Sequence, residues 1–141
     1  MEQRDYLMRQ IEQAGRALAK VMADLTGLKN QGKVHEGIEQ AEQSLQDELD
    51  LSIEKMTGIP LDQFIHTLKE KEHMFAENFE QTADLLVEIA EGYRQQGSLE
   101  KSRALYQRAL VLYEYVEEAG SSFSFNRHSR MQKIKELLQQ R

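Results

Sequence analysis

Residues 92–110 read GYRQQGSLEKSRALYQRAL, and the fold turns on whether this stretch is a bend between two helices. Gly97 closes a polar run, and glycine accepts the positive φ that ends a helix. Before it, Leu86, Ile89, Ala90 and Tyr93 recur at helical spacing. After it come Ser102, Leu105, Tyr106, Ala109, Leu110 and Leu112, with Leu99 available at the start. The spacing predicts one helix, carrying Phe75 and Phe79 as well, that ends before Gly97, and another from Ser98 to about Ala119. Ala90, Ser102 and Ala109 are small enough to let two helix backbones approach closely. Tyr93 and Tyr106 fill the space beside them, and a large side chain is worth roughly 1.5–3 kcal/mol when fully buried.

The pattern continues in both directions as helices. Toward the N-terminus, Leu7, Ile11, Ala14, Leu18, Val21 and Leu25 alternate by four and three, a coiled-coil-like seam on a helix covering about 3–27. Thr26-Gly27 and Asn30-Gln31-Gly32 loosen the chain, and a second helix is expected from about Lys33 to Met56. Its inner edge is Val34, Ile38, Ala41, Leu45, Leu49 and Ile53. Thr57-Gly58-Ile59-Pro60 stops it, because proline lacks the N–H that the previous turn needs. A short helix follows with Leu61, Phe64, Ile65 and Leu68 on one face; four charged residues, 69–72, interrupt the apolar pattern, where the helix bends or restarts. Gly120-Ser121-Ser122 reads as a loop, Phe123 or Phe125 as a plug where the chain turns, and about 126–140 as a last amphipathic helix through Met131, Ile134, Leu137 and Leu138.

Residues 83–116 resemble a tetratricopeptide repeat (TPR), a 34-residue pair of antiparallel helices. The large first anchor falls on Leu86, where the family has tryptophan. The Leu-Gly pair falls on Ile89-Ala90, the first-helix tyrosine on Tyr93 and the turn glycine on Gly97. In the second helix the small residue is Ser102, the aromatic Tyr106 and the next alanine Ala109; Glu114 stands where the family closes with proline. Residues 18–51 look like a worn copy, with Val21, Leu25, Leu28, Gly37, Ala41 and Ser44 at anchor and small positions and Asp24 out of pattern. The chain as a whole also resembles small bacterial proteins of unknown activity with such a hairpin. The resemblance implies an all-α fold of about five or six helices: TPR-like antiparallel hairpins in one compact right-handed superhelical or bundle domain spanning 1–141, capped by the last helix. About three repeats are needed for a freestanding solenoid. The first, middle and last helices, or a second copy, must supply the missing contacts.

Composition narrows the function. The 141 residues are 40% hydrophobic, enough for one core. No cysteine is present, which excludes disulfides, thiolate nucleophiles and Cys-type zinc sites and suits a reducing compartment. No stretch reaches the ~18 apolar residues of a membrane span, and the N-terminus is charged from its second residue. A cytoplasmic protein without membrane contact is the expectation. Net charge is −6, unfavourable for a phosphate backbone. The charge is segregated: seven acids and no Lys or Arg between Glu36 and Glu54, against Arg127, Arg130, Lys133, Lys135 and Arg141 with Glu136 alone in the tail. Arg127, His128, Arg130, Lys133 and Lys135 are too short a basic tract to predict nucleic-acid binding on such a chain.

Candidate chemistry is sparse. His66, Glu70, His73 and Glu77, spaced four, three and four, form a metal-like stripe if the helix is continuous. Glu70 to His73 has the Glu-x-x-His spacing of carboxylate-bridged bundles, but a bundle site needs a second matching motif, and none is present. The stripe lies about half a turn from Phe75 and so points at water. No phosphate loop or oriented nucleophile exists, and neither enzyme activity nor a cofactor is expected. Binding remains. TPR-like hairpins take partner segments on their first helices, and here that face offers Asp84, Val87, Glu88, Glu91 and Tyr93. Its acids disfavour clamping a terminal carboxylate and suit a basic or apolar segment, for which the chain's own basic C-terminal helix is one candidate. Self-association through Leu7, Ile11, Leu18, Val21 and Leu25 is the alternative.

Overall fold

The computed structural model describes residues 2–120 and 123–140; Ser121 and Ser122 of the expected loop lie outside them. These residues are all-helical, as expected, but with more elements than the five or six read from the sequence: seven α-helices, and two short 3-10 turns at Leu61–Gln63 and Ala76–Asn78. The helices are α1 (Glu2–Asn30), α2 (Val34–Leu49), α3 (Ile53–Gly58), α4 (Phe64–Lys69), α5 (Phe79–Gln95), α6 (Leu99–Glu118) and α7 (Phe125–Gln139).

Helix α1 passes through Gly27 and closes at Gly32, whose φ is 77°. The Lys33 amide returns to the Leu28 carbonyl at 2.8 Å, satisfying a carbonyl that the helix end would leave unpaired. The expected second helix does not run to Met56. Asp50 adopts φ 52°, the Leu51 amide bonds back to Leu45 O at 3.1 Å, and Ser52 caps α3 by accepting from the Lys55 amide at 3.2 Å. The break turns Leu51, which a straight helix would place off the inner stripe, fully into the core. Ile53 and Met56 are buried from the new direction.

Pro60 starts the turn before α4, and Phe64 and Leu68 are buried. Leu61, expected on the same face, is exposed because it sits in the preceding 3-10 turn. The chain then leaves helical geometry at residues 70–75. Met74 is buried, Phe75 is extended at φ −121° and ψ 147°, and α5 begins only at Phe79.

Helix α5 is the centre of the fold. It buries Phe79, Thr82, Ala83, Leu85, Leu86, Ile89, Ala90 and Gly92, more than one face of a helix, because α6, α1 and α2 all pack on it. Gly97 at φ 81° reverses the chain, and the Ser98 amide bonds Tyr93 O at 2.9 Å. Helix α6 then lies along α5 in the most extensive pairing of the fold, with Ala90, Ser102 and Ala109 all inaccessible to solvent or nearly so. Against α1, two side-chain amides hold α5 by helix carbonyls: Asn78 donates to Ile11 O at 3.2 Å and Gln81 to Gly15 O at 2.7 Å. Within α1, Ala14, Leu18, Val21 and Leu25 are buried in the chain's own core. Tyr6, Leu7 and Met8 are exposed, because α2 ends opposite Ala14 and nothing among the described residues covers the helix beyond it.

Three expected core positions fall elsewhere. Leu99, at the first position of α6, is exposed. Phe123 and Phe125 plug no gap; they are 70% and 76% exposed, because Ser124 starts α7 by accepting from the Arg127 amide and it is Arg127, Met131 and Ile134 that turn inward. Leu137 and Leu138 are half-buried.

The tightest contact is at Gly92. A Cβ there would lie 2.8 Å from Ile38 Cδ1 and 3.1 Å from its Cγ1. Helix propensity alone favours Gly92→Ala by about 1 kcal/mol, whereas overpacking a filled core costs ~1–3 kcal/mol. We expect Gly92→Ala to lose about 1 kcal/mol net, and Ile38→Val, which removes the clashing methyl, to relieve it. Urea denaturation of the two single variants and the double should give a double that costs less than their sum; additive costs would place the strain elsewhere.

Candidate functional site

The five residues expected to share one groove are distributed over three surroundings. Asp84 and Tyr93 are nine positions apart, about half a turn around a helix, so they face opposite sides of α5. Asp84 meets α7 and α6, accepting from Tyr113 Oη at 2.5 Å and pairing with the Arg130 guanidinium. One turn earlier Glu80 accepts from Arg127 Nη1 at 3.2 Å, while Arg127 Nε lies 3.5 Å from Glu117. Helix α7 therefore sets its two arginines on the acidic stripe of α5, and Val87 and Glu91 continue that stripe under its C-terminal half. Glu88 turns toward α1, where Lys29 Nζ donates both to its carboxylate and to its backbone carbonyl at 2.9 Å.

Tyr93 belongs to another surface. Its hydroxyl donates to Glu42 Oε1 of α2 at 2.6 Å, and the Lys101 ammonium lies 5.4 Å from its ring centre. Around this pair opens a concavity of about 940 Å³ between α2, α3 and α6. Glu36, Glu39, Glu42 and Glu54 line it, Lys101 is its one cation among the described residues, and Ile53, Tyr93 and Leu105 supply the apolar part of its wall. Glu36, Glu39 and Glu42 come from the charged run of α2, whose solvent face became a concave wall because the chain turned at Asp50 into α3, which adds Glu54. That break was not read from the sequence, and neither was the cleft it creates.

The histidine stripe does not form. Helix α4 ends at Lys69, so His66 and Glu70 meet in an exposed contact at 3.0 Å while His73 and Glu77 lie beyond the break. Among the described residues no group of three His, Cys, Asp or Glu side chains could hold a metal ion.

A model of a family of unknown function, DUF6483, matches residues 1–139. The chain belongs to the DUF6483 family. No curated protein and no solved structure matches it. No helix among the described residues of this DUF6483 chain is long and apolar enough to cross a membrane.

Arg108 is a further buried residue of this DUF6483 chain that was missed. Its guanidinium donates to Thr57 O at 2.9 Å and Ile59 O at 2.8 Å, closing the C-terminal end of α3, where a cation meets the negative end of the helix. Burial pulls its pKa below the ordinary arginine value. The available signal was positional: Arg108 stands three after Leu105 and four before Leu112, on the core-facing stripe.

Burial raises the Tyr113 and Tyr93 hydroxyls well above the ordinary tyrosine value, and their carboxylate acceptors, Asp84 and Glu42, raise them further. For Tyr113 the nearby Arg130 works in the opposite direction without reversing the shift. Unfolding lets both phenols ionise near pH 10.0. The stability that they contribute is thus intact below the unfolded value and is lost as pH rises from there toward the folded values. The urea midpoint should fall above about pH 10, and the fall should be shallower in a Tyr93→Phe/Tyr113→Phe variant; equal slopes would assign the alkaline loss to other groups.

Proposed function

We propose that this chain is a non-enzymatic protein-interaction module on a TPR-like scaffold, taking a basic segment of a partner protein in the acidic cleft between α2, α3 and α6. The carrying observation is the cleft itself: four glutamates on a concave wall with an apolar floor at Ile53, Tyr93 and Leu105, opposed by Lys101 alone. Its size lies in the range of ligand-binding clefts, about 300–1,000 Å³. Such a field speeds encounter with a cationic segment and rejects an anionic one. What supports the TPR-like reading is the close α5–α6 hairpin with buried Ala90, Ser102 and Ala109 and the positive φ at Gly97. The acidic stripe of α5, the other candidate groove, already carries α7 through Arg127 and Arg130.

Glu36 and Glu39 are exposed, Glu39 lying 3.3 Å from the exposed His35, so reversing them leaves the buried core untouched. Wild-type protein should capture Lys/Arg-rich segments in a salt-sensitive manner, and Glu36→Lys/Glu39→Lys should lose them. A set of captured segments unchanged by the reversal removes the cleft as the binding surface.

A second reading, self-association through α1, is favoured by the exposure of Tyr6, Leu7 and Met8 on an uncovered helix end. Leu18, Val21 and Leu25 are committed to the chain's own core, so the contact would rest on Leu7 with a half-buried Ile11. Light scattering should report a dimer for wild type at micromolar concentration and a monomer for Leu7→Glu. A wild-type monomer ends this reading.

A further inference from the structure

Beneath the C-terminal half of α7 the bundle is incompletely filled. A cavity of about 150 Å³ lies between α5, α6 and α7, walled on its apolar side by Val87, Ile134 and Leu137. A second, about 230 Å³, has Arg94, Tyr106 and Leu137 in common with it, so the two adjoin. This is why Leu137 and Leu138 are only half-buried, although they stand on the inner face of the helix.

The lining has the opposite charge to the molecule. Arg94, Arg103, Arg130 and Lys133 face the two cavities against Glu91 alone, in a chain of net charge −6. Arg130 is occupied by Asp84, and Arg103 donates to Gln140 O at 3.1 Å. Arg94 and Lys133 form no ion pair with a described residue and stand at the mouth. Tyr106 lines the first cavity with them. It is only 5% exposed, it lines both cavities, and its hydroxyl makes no hydrogen bond to a described residue. The hydroxyl is not sealed among protein groups but opens onto the cavity, so a ligand there can take its hydrogen bond.

We propose that this cleft binds a small amphiphilic carboxylate, its head accepting a hydrogen bond from Tyr106 and facing Arg94 and Lys133, its alkyl chain lying against Val87, Ile134 and Leu137. The carboxylate suits two donors of different kind, one neutral and one a planar guanidinium. Glu91 in the same wall penalises a doubly charged head such as a phosphate monoester. Burial, with Glu91 adding and Arg94 opposing, raises the Tyr106 pKa, so the hydroxyl stays a donor at neutral pH. A space of ~150 Å³ is enough for a benzene-sized group, and the open cleft made by the two adjoining cavities, with its apolar side at Val87, Ile134 and Leu137, gives room for a chain of about eight carbons. None of the residues lining this cleft lines the acidic one, so the two sites stand or fall separately.

The test is a titration of the full chain with sodium octanoate, octylamine and octanol, followed by backbone amide shifts and calorimetry. Octanoate should shift amides around Val87, Tyr106 and Ile134 saturably and bind at least about 10-fold more tightly than either control. Tyr106→Phe, which removes one oxygen, and Arg94→Gln, at an exposed position, should each weaken it about 5- to 10-fold. Octylamine or octanol binding as well as octanoate, shifts scattered over the surface, or an affinity unchanged in both variants would each overturn the assignment.

Discussion

Close approach of helix backbones to α5 is the constraint on which the rest depends. One side of this helix lies along α6, where Ala90, Ser102 and Ala109 are buried. Another meets α2, where Gly92 leaves no room for even a methyl group beside Ile38. Bringing rods this near surrounds α5 with apolar contact and removes water from the large residues beside the small ones, Leu86, Ile89, Leu105 and Tyr113. A mid-helix glycine costs about 1 kcal/mol of helix propensity. Here that cost is offset by packing that no larger residue permits.

With α5 packed on several sides, polar groups beside it find internal partners across elements. Tyr113 reaches Asp84, Tyr93 reaches Glu42, Lys29 reaches Glu88, and Asn78 and Gln81 bind carbonyls of α1. These bonds fix the relative rotation of helices that apolar packing alone would leave free to slide. Arg108 does the same for α3, anchoring a six-residue helix that is too short to be stable alone.

Charge is sorted by the same architecture. The acids of α2 frame an open cleft, whereas those of α5 are covered by the arginines of α7. The packing of α7 is uneven along its length. Its first half is held by ion pairs and by Met131; its second half spans an open cleft edged with cations and the Tyr106 phenol. Among its described residues the chain thus carries concavities of opposite chemistry, one acidic and open, another cationic and amphiphilic.

Periodicity made α1, α5, α6 and α7 legible to within a few residues, together with the reversal at Gly97 and the buried trio Ala90, Ser102 and Ala109, because these depend on spacing along a single rod and on glycine's freedom at positive φ. It did not reveal the turn at Asp50, the extended segment at Phe75 or the outward placement of Phe123 and Phe125. Those outcomes are set by competition: Leu51 gains more by entering the core than the helix gains by continuing, and Arg127 with Met131 occupies the inward face of α7 that an aromatic would have taken. Which acids were covered and which lined a cleft was likewise decided only in three dimensions. Residues half a turn apart on one helix, Asp84 and Tyr93, acquire different neighbours according to which rods pack on either side, and no local pattern encodes that choice.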